Sequence, residues 1–257
     1  MLVSAAPGAL LWPAAMLVWG PGYRSSKHKH HCVQLVMALK GTFRVRGPRR
    51  RWTQCGAILV KPDAPHEVEA VDAHVLLAFV ESESNLGAAL LARLGSDLSI
   101  IPDRTVAQWR RSLGDPERLD AGRVEVWVQQ HLLSGRRMPR LHPGVRKALQ
   151  TMREEIGGGG DFSLSRMAQV AGLSPSRFMH VFTEAVGVPL RPYILWLRLQ
   201  RACGELMRGA STIASARRAG FADAAHLTRT VRRMLGMTPG EIIQRRPKVR
   251  AAFATPH

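Results

Sequence analysis

Two sets of side chains in this 257-residue sequence have the types and spacing for chemistry. His28, His30, Cys32 and Gln34 occupy every second position of a short stretch. In a regular strand alternate side chains share a face, so these four would line one wall, and His66 can join them from across a barrel. Imidazoles on one wall can ligate Zn, Fe, Ni or Cu. The other use of such a wall is to line a pocket for a small organic effector, with the histidines as hydrogen-bonding groups. The second set consists of outward positions on two short helices. Ser176, Arg177, Met179, His180 and Thr183 belong to the first, and Ala224, Ala225, His226, Thr228, Arg229 and Arg232 to the second. An arginine such as Arg229 can bond the O6 and N7 of a guanine bidentately, and short side chains such as Ala224 and Ala225 can touch a thymine methyl. Arg177, Arg232 and Arg233 are suited to phosphates, which fix register rather than sequence.

The elements that must position the second set are legible. Ser163 is a natural N-cap, and Leu164, Met167, Ala168 and Ala171 make an apolar face that Gly172 closes. Ser174 caps the next helix, expected over 174–186, and Pro175 sits at its first position, where a missing N–H costs little. Phe178, Val181, Phe182 and Ala185 then face inward. The logic repeats downstream. Ala219, Gly220 and Phe221 form a turn with an apolar plug, and Asp223 caps a helix expected over 223–235, with Leu227, Val231 and Leu235 inward. Each helix follows a short helix and a glycine turn, which makes two helix-turn-helix units. A helix over 193–207 separates them, and another is expected over 145–156.

The first half reads as short apolar runs between Gly and Pro turns, at 9–12, 15–19, 33–39, 41–46, 57–61 and 73–80. No alternation of strands with helices appears, so the sheet is antiparallel, a sandwich or a barrel. After Glu81 the spacing turns helical, with stripes at Leu86, Leu90 and Leu94, at Val106, Trp109 and Leu113, and at Val124, Trp127 and Leu132. These stripes pack on the sheet or pair with a second subunit. Residues 135–143, basic and broken by two prolines, read as a linker, with the domain boundary near 140.

The formal net charge is +18, and residues 141–257 hold 18 Lys/Arg against 7 Asp/Glu. An excess of this sign favours a polyanionic partner. Three cysteines, Cys32, Cys55 and Cys203, are too few for a disulfide framework, which implies a reduced, cytoplasmic compartment. The apolar start, residues 1–22, lacks any Lys or Arg and is punctuated by Pro and Gly, unlike a signal peptide or a spanning helix.

Residues 141–246 resemble the DNA-binding domain of the AraC/XylS family of bacterial transcription regulators. The resemblance is carried by Leu164, Met167, Ala168, Ala171 to Arg177, Phe182, Gly187 and Tyr193, then by Arg198, Leu199 and Ala202. Ala219 to Phe221, Asp223, Thr228, Arg229, Gly236, Thr238 and Pro239 complete it. It departs from the family at Leu227 and Val231, where aromatic residues are usual. The resemblance implies seven helices with two helix-turn-helix units, and base reading by Ser176, Met179, His180, Ala224, Ala225, His226, Thr228 and Arg229. Upstream, Gly22, His28, His30, Gln34 and Gly41 resemble the first cupin motif, with Gln34 in place of its glutamate. Gly56, Pro62, Ala64, Pro65 and His66 resemble a shortened second motif.

The expected molecule is therefore an α+β chain of two domains. Residues 1–139 form a cupin-like antiparallel β-barrel with flanking helices that senses an effector and dimerises. Residues 140–247 form the all-α DNA-binding domain, and 248–257 a disordered basic tail. Its partners are double-stranded DNA, a small-molecule effector held at His28, His30, Gln34 and His66, a second copy of the chain and RNA polymerase, with no membrane. No cofactor and no catalytic residue is expected. The alternatives are a metal sensor using His28, His30 and His66, a redox sensor using Cys32 and Cys55, and a cupin metalloenzyme with accessory DNA binding.

Overall fold

The computed structural model describes residues 7–12, 14–47, 51–133, 141–245 and 248–251. The first half runs β1 (Gly8–Trp12), β2 (Ala15–Pro21), β3 (Val33–Lys40), β4 (Phe43–Arg46), β5 (Thr53–Cys55), β6 (Ala57–Val60), β7 (Glu67–Glu69) and β8 (His74–Val80). Helix α1 (Asn85–Leu91), β9 (Leu98–Ile100), α2 (Asp103–Leu113) and α3 (Ala121–Trp127) follow, the last continued by a π-helical turn, Val128–Leu132. The six expected runs fall on β1, β2, β3, β4, β6 and β8. β5, β7 and β9 have three residues each, too few for alternation to show, and β5 and β7 carry mostly polar side chains.

Among the described residues the strands form two ladders rather than one closed barrel: a seven-stranded sheet in the order β10 (Lys248–Ala251), β1, β2, β8, β3, β6 and β9, and a three-stranded sheet, β5-β4-β7. Strand alternation sends Val33, Leu35, Met37 and Leu39 of β3 and Leu76, Ala78 and Val80 of β8 to one face of the large sheet. There they meet Val106, Trp109 and Leu113 of α2, Val124 and Trp127 of α3, and Leu132. The helical stripes thus pack on the sheet of their own chain. Val36, Ala38, Val75, Leu77 and Phe79 take the opposite face, with Phe43, Val45 and Val68 of the small sheet. Both faces are covered, which is why the central strands read as almost unbroken apolar runs.

Among the described residues the second half holds seven helices: α4 (Pro143–Glu155), α5 (Leu164–Ala171), α6 (Pro175–Val186), α7 (Leu190–Met207), α8 (Thr212–Arg218), α9 (Ala224–Leu235) and α10 (Pro239–Arg245). The caps form as their residue types dictate. Ser163 and Ser174 accept from the N–H groups of Arg166 and Arg177, and Asp223 accepts from His226 at 2.6 Å. Gly172 closes α5 at φ +66°, a conformation that a side chain would strain. Pairs α5–α6 and α8–α9 are the two helix-turn-helix units.

Helix α7 has two partners. Its first half gives Leu190, Tyr193, Ile194 and Leu197 to the core of α4, α5 and α6. Trp196, Leu199, Ala202, Cys203, Leu206 and Met207 enter a second core, shared with α8, α9 and the inner face of the large sheet. The apolar interior of the first half is thereby continuous with that of the second helix-turn-helix.

The C-terminal tail departs from expectation. Lys248–Ala251 forms β10, parallel to β1 in the register Gly8 to Lys248 and Leu11 to Ala251. The physical reason is the open edge of β1, whose unpaired N–H and C=O groups are a template for any extended segment. Residues 252–257, the domain boundary near 140 and most of the linker lie outside the described residues.

A buried ionic cluster ties the sheet to the first helix-turn-helix. Glu81 and Glu83, just past β8, both accept from the Arg153 guanidinium of α4, and the Tyr193 hydroxyl of α7 donates to Glu81 at 2.9 Å. Two carboxyls face one guanidinium here. Burial, and then the neighbouring Glu81, push the Glu83 carboxyl well above the usual carboxylate range, and the two carboxyls share a hydrogen bond. Removing one partner of a buried pair costs more than the pair contributes, because a charge is left unpaired. Arg153→Met is expected to lower stability by ~3–5 kcal/mol, whereas Glu83→Gln, which mimics the protonated form, should stay close to wild type. Urea denaturation of the two variants measures this. Equal losses would mean that Glu83 is ionised.

Candidate functional site

The outward faces of α6 and α9 are exposed as their caps and periodicity require. On α6, Ser176, Arg177, Met179, His180 and Thr183 are exposed, while Phe178, Val181 and Phe182 are buried. His180 lies 4.0 Å from Glu184 one turn on. On α9, Ala225, Arg229, Arg232 and Arg233 are exposed and Leu227 and Val231 buried. Three positions are less free than periodicity alone implies. Ala224 is half-buried. The Thr228 hydroxyl, half-buried, donates to the Ala224 carbonyl at 2.8 Å. The His226 ring stands edge-on to Phe221 at 5.2 Å, so one side of it belongs to the plug of the turn.

Two features of these helices favour a polyanionic partner. Four of the named positions are arginines with solvated guanidinium groups, which can release counterions from a phosphate backbone. The N-termini of α6 and α9 add the favourable end of a helix dipole to that field.

The structure also brings His28, His30, Gln34 and His66 together, though by a different route from the regular strand expected. Residues 27–32 are irregular. Only an isolated antiparallel bridge joins His28 to His66, each N–H donating to the other's carbonyl at 3.0–3.1 Å. The four side chains are buried. The His28 and His66 rings are 4.2 Å apart, and those of His30 and His66 5.1 Å. Gln34 Oε1 lies 3.1 Å from His30 Nε2 and 2.8 Å from His66 Nε2. Burial, and then the neighbouring imidazoles, lower the pKa of His28 to about 4 and that of His66 well below its ordinary value. Burial also lowers that of His30, against its hydrogen bond to Gln34. All three are neutral at pH 7. Cys32 is buried beside them, its Sγ 3.3 Å from His30 Nδ1.

The three cysteines are free, and burial pushes their thiols up, Cys55 and Cys203 to about 12. Thiols held protonated are poor nucleophiles and slow to oxidise, which weighs against the redox reading.

A cavity of about 510 Å³ lies next to the cluster rather than within it. The sheet side supplies Met16, Val18, Tyr23, Leu77 and Phe79, and the helical side Cys203, Met207, Leu235 and Ile242. The Phe79 ring, which lines the cavity, stands edge-on to His30 at 5.5 Å. Burial raises the Tyr23 phenol to about 12 against the pull of Arg245, whose guanidinium sits 5.6 Å over its ring. Arg245 lines the cavity too, donating to the Pro21 carbonyl at 2.8 Å. The sequence marks several of these residues as core but none as the lining of a cavity. Apolar side chains 124 or more positions apart, the separation of Phe79 and Cys203, carry no mutual signal until the domains dock.

The comparisons with known proteins fit this geometry. Residues 167–245 match the model of a helix-turn-helix domain. No curated protein matches the chain. Among solved structures, ToxT from Vibrio cholerae is similar over 90% of this chain and 97% of its own, with a TM-score of 0.55 at 12% identity. ToxT with bound unsaturated fatty acid is similar over 93% of both chains, with a TM-score of 0.52 at 12% identity. At this identity the likeness is one of fold. It extends across both halves. A shorter match, 27% identical over 40% of this chain and 92% of the other at a TM-score of 0.38, is an AraC-type regulator from Chromobacterium violaceum.

If Arg233 meets a phosphate, Arg233→Ala should weaken binding of a DNA duplex evenly across sequences. It should also lower the slope of log affinity against log salt by about one unit. An unchanged slope would remove Arg233 from the interface.

Proposed function

We propose that this chain, whose C-terminal domain is an AraC-type helix-turn-helix domain, is a sequence-specific DNA-binding transcription regulator controlled by a small molecule. The observation that carries the reading is the pair of capped, exposed helices α6 and α9, held by opposite halves of one helix, α7. At ~1.5 Å per residue, its 18 residues span ~27 Å. Successive major grooves on one side of a duplex are ~34 Å apart, so two reading heads spaced by such a rod suit adjacent grooves. Base contacts fall to Ser176, Met179, His180, Ala225 and Arg229, with lesser roles for Ala224, His226 and Thr228. Phosphate contacts fall to Arg177, Arg232 and Arg233.

The effector is an apolar small molecule in the cavity between the large sheet and α7, α9 and α10. The lining supports this: mostly apolar, with Arg245 as its cation and Glu241, Gln244 and the Tyr23 hydroxyl as its other polar groups. The fold neighbour ToxT carries an unsaturated fatty acid in one structure and a naphthalenyl butenoic acid in another. A ligand there touches the sheet and the second helix-turn-helix at once, so it favours whichever arrangement fits it better. That differential affinity is the whole of its leverage. His28, His30, Gln34 and His66 form the wall behind Phe79 rather than the lining. The working unit is a homodimer acting in the cytoplasm, with RNA polymerase as a further partner. We assign the chain no catalytic step. Its division is 1–139 for sensing and 140–247 for DNA.

Capture of genomic fragments on the full chain, followed by sequencing, should return one or two enriched sites. Arg229→Ala should cost ~1–3 kcal/mol on such a site and relax base preference at one position. An equal loss on all sequences would make Arg229 a phosphate contact, and no enrichment with or without ligand would end the regulator reading.

A further inference from the structure

The cavity has a mouth, and the end of the chain lies across it. Most of the lining is buried, but Pro21 at the end of β2 and Glu241 and Gln244 of α10 are exposed. The opening therefore lies between the sheet and the last helix. Pro7, Gly22 and Arg245, all half-buried, complete its rim. Arg245 crosses from one side to the other. Its guanidinium donates to the Pro21 carbonyl at 2.8 Å and to that of Gly22 at 3.4 Å, and it rests over the Tyr23 ring. Three residues on, Lys248 begins β10 opposite Gly8, the neighbour of Pro7. Pro7 itself sits tightly against β2: a Cβ added to Gly20 would come within 2.9 Å of the Pro7 Cβ. The chain thus leaves one side of the rim at Gln244, is tied to the other by Arg245, and ends paired along it.

This fastening is of a kind that opens. Among the described residues β10 has one neighbour in the sheet, β1, and pairs with it at four positions. Parallel pairing is slightly less stable per residue than antiparallel. A short strand at the end of a sheet can leave without breaking any ladder beyond it. The remaining bonds, those of Arg245, are made to neutral carbonyls at an exposed rim. Segments held in this way open at lower free energy than the core to which they are fastened.

We propose that residues 244–251 are a strap over the ligand cavity: Arg245 and β10 close its mouth, and an effector enters or leaves when they lift from β2 and β1. β10 also lies against α7, and α10 carries one side of the rim. A lifted strap therefore loosens the seam that holds the second helix-turn-helix to the sheet, so ligand exchange and freedom of that unit are coupled. The proposal rests on the cavity reading above.

The test follows uptake and release of Nile red, a neutral apolar fluorophore, by the full chain in stopped-flow mixing. Ala9→Cys with Val249→Cys places two thiols at facing positions of the register, on strands ~4.8 Å apart, within reach of a disulfide. The three native thiols are buried and do not compete. Oxidation should slow both uptake and release at least about fivefold, and reduction should restore them, the size expected when opening is set by hydrogen bonds of ordinary net strength. The opposite change comes from Val249→Pro with Arg250→Pro. Successive N–H groups of a strand point to opposite sides, so whichever of the two faces β1 is removed. Both rates should rise about fivefold, and alternate amides of β1 should lose protection from exchange. Equal rates in the oxidised and reduced forms, a cysteine pair that does not cross-link, or unaltered rates in the double-proline chain would overturn the strap. Equal dye uptake by a folded Leu77→Trp, which fills the cavity, would sink the cavity reading instead. The strap would then stand if the double-proline chain loses protection at the β1 amides and fall if it does not.

Discussion

Helix α7 is buried from two sides by two different cores, and the arrangement of the rest of the molecule depends on that double burial. Tyr193 and Trp196 are among the largest fully buried side chains, three residues apart, yet they belong to different apolar clusters. A large apolar side chain moved into water costs roughly 1.5–3 kcal/mol. Parting the sheet from α7 would expose Trp196, Leu199, Cys203, Leu206 and Met207 together. The two halves of the chain therefore behave as one packed body at this seam. A change on the sheet side reaches α7 and α9 by repacking across this shared core.

The two helix-turn-helix units are held to the first half in different ways. The first has its own core and meets the sheet through charge, by the Arg153 guanidinium against Glu81 and Glu83. The second shares its apolar interior with the sheet, and the turn of α9 that needs carbonyl partners is capped by residues 26–29. Orphan carbonyls at a helix end must be satisfied somewhere, and here another domain does it. Cavity, histidine cluster and cap all converge on α9, whereas α6 is reached through α7 and through α4, which carries Arg153. On the reading proposed above, a ligand in the cavity would act on the second unit directly and on the first indirectly.

Much of this was legible in the sequence where the physics is local. Ser174 with Pro175, Asp223, Gly172 and the apolar spacing of Phe178, Val181 and Phe182 specify α6 and α9 within one residue, because caps and periodicity act over a single turn. The histidine set was also legible, but the alternation argument found it for an imperfect reason. Residues 27–32 are not a regular strand, and the rings converge through the His28–His66 bridge and their backbone carbonyls. What the sequence hid is non-local. Glu81 and Arg153 lie 72 positions apart, and the edge of β1 finds Lys248–Ala251 from the far end of the chain. The second apolar face of α7 looks like ordinary amphipathicity until its partner is known.

The most direct test of a shared core is amide hydrogen exchange of the full chain, resolved to residues. Amides of β3 and β8 and those in the second half of α7, around Leu199 to Leu206, should exchange through one common opening. They should have the same free energy and the same response to denaturant, as members of one cooperative unit do. If the α7 amides exchanged through a separate opening of much lower free energy while the strands stayed protected, the seam would be a loose contact. The sheet would then have no mechanical hold on α7 and α9.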